Sequence, residues 1–523
     1  MSLIKNSAII GGLTLVSRVL GLVRDLLTAR YLGVGMANDA FQVAWRLPNL
    51  FRALFAEGAF ASAFVPMFNR TIAEAEGEGR DGLAAAVTFA SHVFAVLLPI
   101  LILFTVLMMV FAGPIVFALA PGFANSGPEK LRLARILTTI TIPYLGLISL
   151  VSLFGGILNS INRFWVNAAA PILLNLCMII AIMFFRGHND PDIAKTQAIA
   201  VTVSGAVQLG WLVWSCQRNG IVLHIFRPRL SPDVRKMLLL IGPAALGQGA
   251  VQLNQVVSMY LASSLPQGAL SYLYFADRLN QLPLGLIGIG VGTAILPGLS
   301  RDIGSGNVTQ AQYTQNRAIE LAFLLAMPAA VALVLSSVPI TRAVFQTGRF
   351  HAENTIICAS VLSAFSIAVP AYVLIKILTP GYYARQDTKT PVRIAVMSML
   401  VNLLGNLILI GPLQIVGVAV STAIAAWVNV TLLYVTLHRR GHLRADAQLQ
   451  RSIVQVLLAS AVLGAALLRL NPIVDPHLGR GFFERVLWLA VLVGGGGLVY
   501  LVSGVLFGAL RFGNFASRFL PHR

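Results

Sequence analysis

The sequence predicts an all-α polytopic membrane protein of about fourteen helices, on three observations. Only 11% of its 523 residues are charged while 57% are hydrophobic, against about 25% charged in a soluble domain. Apolar runs close to the ~20 residues that a membrane span needs recur along the whole chain, as in Phe94 to Ala112, Ala168 to Phe185 and Val486 to Leu510. The charges gather in the short connections between these runs, leaving no room for a soluble domain of useful size.

Taken in order, the apolar runs place helices near 6–32, 37–69, 82–112, 134–160, 166–187, 195–217, 236–262, 268–301, 314–339, 353–378, 390–410, 413–437, 452–470 and 484–509. The first continues past Arg18 without a small-residue cleavage site and reads as a helix that stays. Two longer basic connections, 218–235 and 438–451, suit amphipathic segments lying on a membrane surface. Cys177, Cys216 and Cys358 fall inside spans without metal spacing and read as buried, inert thiols.

The net charge is +19, which in another chain would suggest nucleic acid. Here its distribution follows the positive-inside rule. With the N-terminus in the cytoplasm, Arg70 and Arg80, Arg218 to Lys236, Arg301, Arg385 to Arg393, Arg439 to Arg451 and Arg511 to Arg523 fall inside. Fewer fall outside: Lys130, Arg132, Arg186, Lys195, Arg342, Arg349, Arg480 and Arg485. Both termini are then cytoplasmic, and no nucleic-acid partner is expected.

An internal echo divides the chain. Ala44-Trp-Arg-Leu47, Val65-Pro66 and Arg70 recur as Ala276-Asp-Arg-Leu279, Leu296-Pro297 and Arg301. A weaker pair links Gly155, Asn162 and Asn175 to Gly381, Thr388 and Asn402. Six helices per half keep both halves in one orientation, so the repeat is parallel, as in transporters that bind substrate between two lobes. The expected organisation is a lobe over 1–217, a connection at 218–235, a second lobe over 236–437, a connection at 438–451, and two further helices with a tail over 452–523.

Polar residues inside the spans carry the functional signal. Helix 1 has Ser17, Arg18, Arg24 and Asp25; helix 2 has Asp39, Arg46, Asn49 and Arg52; helix 8 has Ser271, Asp277, Arg278 and Gln281. An arginine at a span centre costs about 2.5–3.5 kcal/mol on insertion scales, so each needs water, a partner or a ligand. Ser17 and Arg24, Arg18 and Asp25, Asp39 and Arg46, and Ser271 and Arg278 stand seven apart, which returns a side chain to within about 20° of its start. Pro48 is expected to kink helix 2 and re-aim Arg52. Arg46 and Arg278 sit about ten residues, or roughly 15 Å, from the preceding outer loop. Five arginines against Asp25, Asp39 and Asp277 make a shared, wet cavity net positive. Guanidinium forks there would match phosphate oxygens, although Arg24, Arg30 and Arg52 also suit snorkelling or structural pairing.

Other patterns carry no chemistry. Gly285, Gly288, Gly290 and Gly292 follow no strand and read as helix packing, as do Gly494 to Gly497. No Walker A motif, metal spacing or nucleophile–base pair stands in the chain, so no enzyme, cofactor or metal is expected. His92 reads as a packed or cavity residue.

Ser17-Arg-Val-Leu-Gly-Leu-Val-Arg24-Asp25, Asn38-Asp39-Ala-Phe41, Arg46-Leu-Pro-Asn-Leu-Phe-Arg52 and Phe55-Ala-Glu-Gly-Ala-Phe60 resemble the opening of the MviN/MurJ family of lipid II flippases. So do Phe275-Ala-Asp-Arg-Leu279 with Gln281 and Pro283, Phe345-Gln-Thr-Gly-Arg-Phe350, and Pro380-Gly-Tyr-Tyr-Ala-Arg-Gln-Asp-Thr-Lys-Thr-Pro391. The resemblance covers essentially the full length. It implies fourteen helices in two lobes, a central cationic cavity alternating between the two sides of a bacterial inner membrane, and a role in peptidoglycan synthesis. It assigns essential roles to Arg18, Arg24, Arg52 and Arg278, importance to Asp39, and cavity positions to Ser17, Asp25, Asn49 and Ser271. Arg46 stands where some members have Lys, and Gln281 where some have Glu, which removes an acid. Helices 13 and 14 resemble a pair forming a groove for the polyprenyl tail.

The implied partners are lipid II, membrane lipids and the peptidoglycan synthesis machinery, with a monovalent cation or the membrane potential as driving force. Three alternatives stay open: a cation-coupled multidrug exporter, which the arginine excess opposes; a flippase for another polyprenyl-pyrophosphate glycan; and a non-transporting scaffold.

Overall fold

The computed structural model describes residues 3–55, 59–479 and 481–510, and among these every regular element is a helix. The chain forms two compact units, 1–271 and 272–523. In the first, ten helices follow one another: α1 (Leu3–Tyr31), α2 (Met36–Phe55), α3 (Ala59–Gly77), α4 (Gly82–Val110), α5 (Ala112–Leu119), α6 (Pro128–Thr141), α7 (Pro143–Ser160), α8 (Phe164–Phe184), α9 (Asp190–Arg218) and α10 (Pro232–Ala262). The second holds α11 (Ala269–Gly304, which starts in the first unit), α12 (Val308–Leu335), α13 (Ser337–Phe345), α14 (Ala352–Ser366), α15 (Val369–Tyr383), α16 (Lys389–Arg439), α17 (Ala447–Val474) and α18 (Phe482–Leu506).

Nine described segments are long and apolar enough to cross a membrane by length and composition. One of them, α16, holds two spans. The remaining spans are the polar ones: α1, α2 with α3, α10 and α11. Grouped this way the helices are the fourteen expected. Arg480, Arg511 to Arg523, Ala56 to Gly58 and the side chains of Gly288, Gly290 and Gly292 lie outside the described residues.

Helix ends follow local chemistry. Asp81 caps α4 by accepting from the amides of Leu83 and Ala84, and Ser231 caps α10 through Val234. Asn189, Asn307 and Asp446 do the same for α9, α12 and α17. Each side chain satisfies amide donors that the first helical turn leaves unpaired.

In the first unit α1 packs on α8, α2 on α6 and α7, and α3 on α4 and α7. Buried Phe60, Phe64 and Phe68 stack along α3, with Phe89 of α4 against Phe64. Three expectations change, while α2 continues through Pro48 to Phe55. The connection at 218–235 is irregular backbone up to Ser231 rather than an amphipathic helix; it crosses α4, where the His224 amide donates to Ser91 and Phe226 stacks on His92. α10, expected to open the second lobe, packs on α2, α3 and α4 of the first. Cys177 is only half-buried, while Cys216 and Cys358 are buried.

In the second unit α16 reverses on itself. Gln414 has φ 49° and ψ −127°, and after this turn Gly417 approaches Leu409 so closely that a Cβ would stand 2.4 Å from its carbonyl oxygen. Only glycine permits that approach. The two ends of the hairpin are tied by Arg440, which donates to Asp387 at 2.6 Å and to the Thr390 hydroxyl at 3.1 Å. The connection at 438–451 is a short clasp rather than a surface helix. Gln312, Asn316 and Arg317 of α12 hold Gly441 O, Arg444 O and the Asp446 carboxylate. At its other end α17 is held by Asn471 to Leu335 O and by an Arg342–Asp475 ion pair. Between these clamps Val456, Leu463, Leu467 and Tyr500 build an apolar core with α12.

Asp387 is held well below the usual carboxylate range, first by the Thr390 hydroxyl and amide and then by Arg440. A depressed folded-state value stabilises above the unfolded carboxylate range near pH 4 and is lost as pH falls below it. Asp387→Asn is expected to lower stability by about 1 kcal/mol near neutral pH. Thermal melts in detergent should show this difference shrinking under acid.

Candidate functional site

On α1 the sequence places Arg18 and Arg24 six residues apart, and the structure treats them differently. Arg24 and Asp25 are 6% and 2% exposed. The Arg24 guanidinium donates to Asp25 Oδ1 through Nε at 3.0 Å and Nη2 at 2.8 Å, and to Asn175 Oδ1 at 3.0 Å. Asn175 in turn donates to the Ser17 carbonyl at 2.9 Å and reaches its hydroxyl at 3.4 Å. Ser17, Arg24, Asp25 and Asn175 thus form one polar seam between α1 and α8. Asp25, on the same face of α1 as Arg18 by spacing, is paired with its neighbour Arg24. Arg18 is exposed, beside Leu15 and Val19, and makes no hydrogen bond or ion pair among the described residues.

On α2, Asp39 is 1% exposed and collects four donors. Its Oδ2 accepts from Lys130 Nζ at 2.9 Å and the Gly268 amide at 2.7 Å; its Oδ1 accepts from the Ser271 amide at 3.0 Å and hydroxyl at 2.7 Å. Lys130, expected as an outer-loop charge, is instead 3% exposed and sits 4.2 Å from the Phe123 ring centroid. It is the counter-ion of Asp39. Nothing in the local sequence marks it, since a lysine in a first helical turn reads as solvated.

A second clasp lies on the same turn between α10 and α11. The Gly122 amide donates to the Ser263 hydroxyl at 3.1 Å, and a Cβ on Gly122 would stand 2.4 Å from the Ser263 and Ser264 backbone.

Further along α2, Arg46 donates to the Gln255 side-chain oxygen and Arg52 donates to Asn49 at 3.1 Å, one helical turn away. Both arginines are half-buried. In the second unit the Arg278 guanidinium lies 4.9 Å from the Tyr274 ring centroid, a cation–π contact, and Gln281 donates to Asp277 at 3.4 Å. Ser271 joins Asp39 rather than Arg278. Ser17, Arg24 and Asp25 thus share one cluster and Asp39 and Ser271 another, while Asn49 meets Arg52 and Asp277 meets Gln281. Asn175, Lys130 and Gln255 are the partners that sequence spacing missed. Among the described residues no three His, Cys, Asp or Glu gather as metal ligands.

Removing one member of a buried ion pair strands the other and typically costs about 3–5 kcal/mol. Lys130→Met should destabilise on that scale, and the double variant with Asp39→Asn should lose less than the sum of the two single changes. Additive losses in a detergent melt would contradict the buried pair.

Comparison with known proteins identifies the family. A family profile described as lipid II flippase MurJ matches residues 28–488. A probable lipid II flippase MurJ of Rhizobium tropici is 40% identical over 521 residues, covering 98% of this chain and 96% of its own. One of Vibrio cholerae is 35% identical, covering 97% and 96%. A solved structure, lipid II flippase MurJ in an inward closed conformation, superposes with a TM-score of 0.77 at 25% identity, covering 95% of this chain and 98% of its own. An inward-facing multidrug resistance MATE transporter of the MOP superfamily gives 0.65 at 15% identity, covering 81% and 94%, a likeness of fold alone. This multi-pass membrane chain belongs to the lipid II flippase MurJ family, a family of transporters rather than enzymes.

Proposed function

We propose that the chain moves lipid II from the cytoplasmic to the periplasmic leaflet of a bacterial inner membrane by alternating access, with both termini in the cytoplasm. The carrying observation is the set of guanidinium groups inside its spans, in a chain 40% identical to a probable lipid II flippase. Arg18, Arg24, Arg46 and Arg52 of the first unit and Arg278 of the second are the groups assigned to the substrate's pyrophosphate, because planar forks match phosphate oxygens two bonds at a time.

The present contacts suggest an order of engagement. Arg18, exposed and without a partner among the described residues, meets the anion first. Arg24 follows by exchanging the Asp25 carboxylate for a phosphate oxygen, so that no guanidinium is stranded in low dielectric. A monovalent cation is the proposed counter-charge for Asp25 once Arg24 has turned to the phosphate. In this orientation the Asp39–Lys130–Ser271 clasp and Gly122 hold the α10–α11 turn on the periplasmic side. The uncharged faces of α17 and α18 are assigned to the polyprenyl tail, and the peptidoglycan synthesis machinery is the proposed consumer of the product.

The membrane potential favours this direction. An anion leaving a negative interior gains about 2.3 kcal/mol per charge for each 100 mV.

The test is restoration of periplasmic lipid II accessibility in cells rapidly depleted of their own flippase. The native chain is expected to restore it. Arg18→Ala and Arg278→Ala are expected to fail at unchanged protein levels, and collapse of the potential is expected to slow the native chain. Normal accessibility with both variants would refute the assignment of these arginines.

A further inference from the structure

The segment Ala352–Tyr383 is apolar enough to cross as one span, yet it breaks halfway. α14 and α15 have fifteen residues each, with a turn at Ile367 and Ala368 and Pro370 at the second position of α15. Proline offers no amide to continue the helix. Ile367 and Ala368 keep helical dihedrals, so the break is a kink, and a carbonyl freed at that depth needs a partner. The Trp427 indole N–H donates to the Ile367 carbonyl at 3.0 Å.

Trp427 stands near the centre of the second span of α16, twelve residues before Arg439. Tryptophans usually lie at the two membrane interfaces; this one is held at mid-depth by the carbonyl that the break exposes. Between Ile367 and the α16 face of Val420, Ala423, Ile424, Trp427 and Val428 runs an open trough of about 400 Å³. That lies within the ~300–1,000 Å³ of ligand sites. Thr431 also borders it, but its hydroxyl is turned back onto the Trp427 carbonyl at 2.8 Å. Ile367 and Ile424 are about half exposed.

We propose that this trough is a site for one acyl chain of a membrane phospholipid, which wedges the broken span against α16. Its lining offers no hydrogen bond to hold water, and apolar cavities stay dry. The medium around a mid-span surface is lipid hydrocarbon, so a chain is the occupant at hand. The lining has no cationic side chain to anchor a pyrophosphate-linked lipid, which favours the phospholipid over the tail of the transported molecule. The site is independent of the flippase reading.

The test places the full-length protein in phosphatidylethanolamine and phosphatidylglycerol vesicles containing a phospholipid with a diazirine near the end of one acyl chain. After irradiation, adducts are mapped by peptide mass spectrometry. Labelling of Ile367 and residues 420–432 is expected to exceed, several-fold, that of the exposed α18 residues Val493, Leu498 and Leu501. Thr431→Trp, or Ile424→Trp as a second way to fill the trough, should remove that excess and leave α18 labelling unchanged. Labelling in proportion to exposure, or insensitive to both variants, would overturn the site. Stronger labelling by a diazirine polyprenyl phosphate than by the phospholipid would overturn the proposed occupant.

Discussion

A charge inside a membrane span has to be met, and that constraint orders the first unit of this protein. Arg24 is deep in α1, where its charge would oppose insertion, and it is stable there because Asp25 and Asn175 receive its donors. Asp39 is under the same constraint with the opposite sign, and Lys130, two amides and a hydroxyl answer it. Neighbouring helices are fixed by these demands: α1 against α8 through Asn175, and α2 against α6 and the start of α11 through the Asp39 carboxylate.

The same constraint governs how each of these arginines could meet an anion. A guanidinium already matched to a carboxylate can bind an anion only by exchanging partners, whereas Arg18 has no such partner among the described residues. Elsewhere the fold meets the polar backbone with equal economy of parts. The broken span at Ile367 is closed by one indole, and the reversal at Gln414 by a glycine contact and by an arginine bridging the two helix ends.

Much of this was legible in the sequence, because lipid imposes a coarse and unambiguous pattern. Spans of apolar residues, basic connections and buried arginines placed the fourteen segments and pointed to α1, α2 and α11. What spacing could not give was the identity of partners. Seven-residue intervals put Ser17 and Arg24 on one face, and both meet Asn175, but they name no partner for Asp39. Contacts between helices far apart in the chain supply it. Lys130 was misjudged because its burial arises from tertiary packing under Phe123, which no local pattern records. The kink at Ile367 was missed since apolar composition continues across it; Pro370 was the available signal.

The central claim is that charge on the transported lipid is read by guanidinium groups within the spans. Native mass spectrometry of the purified protein with lipid II, competed by undecaprenyl pyrophosphate or by uncharged undecaprenol, tests it directly. The account predicts displacement by the pyrophosphate and little by the alcohol. Equal displacement by both would show that the hydrocarbon tail, and not the anion, is what the protein recognises.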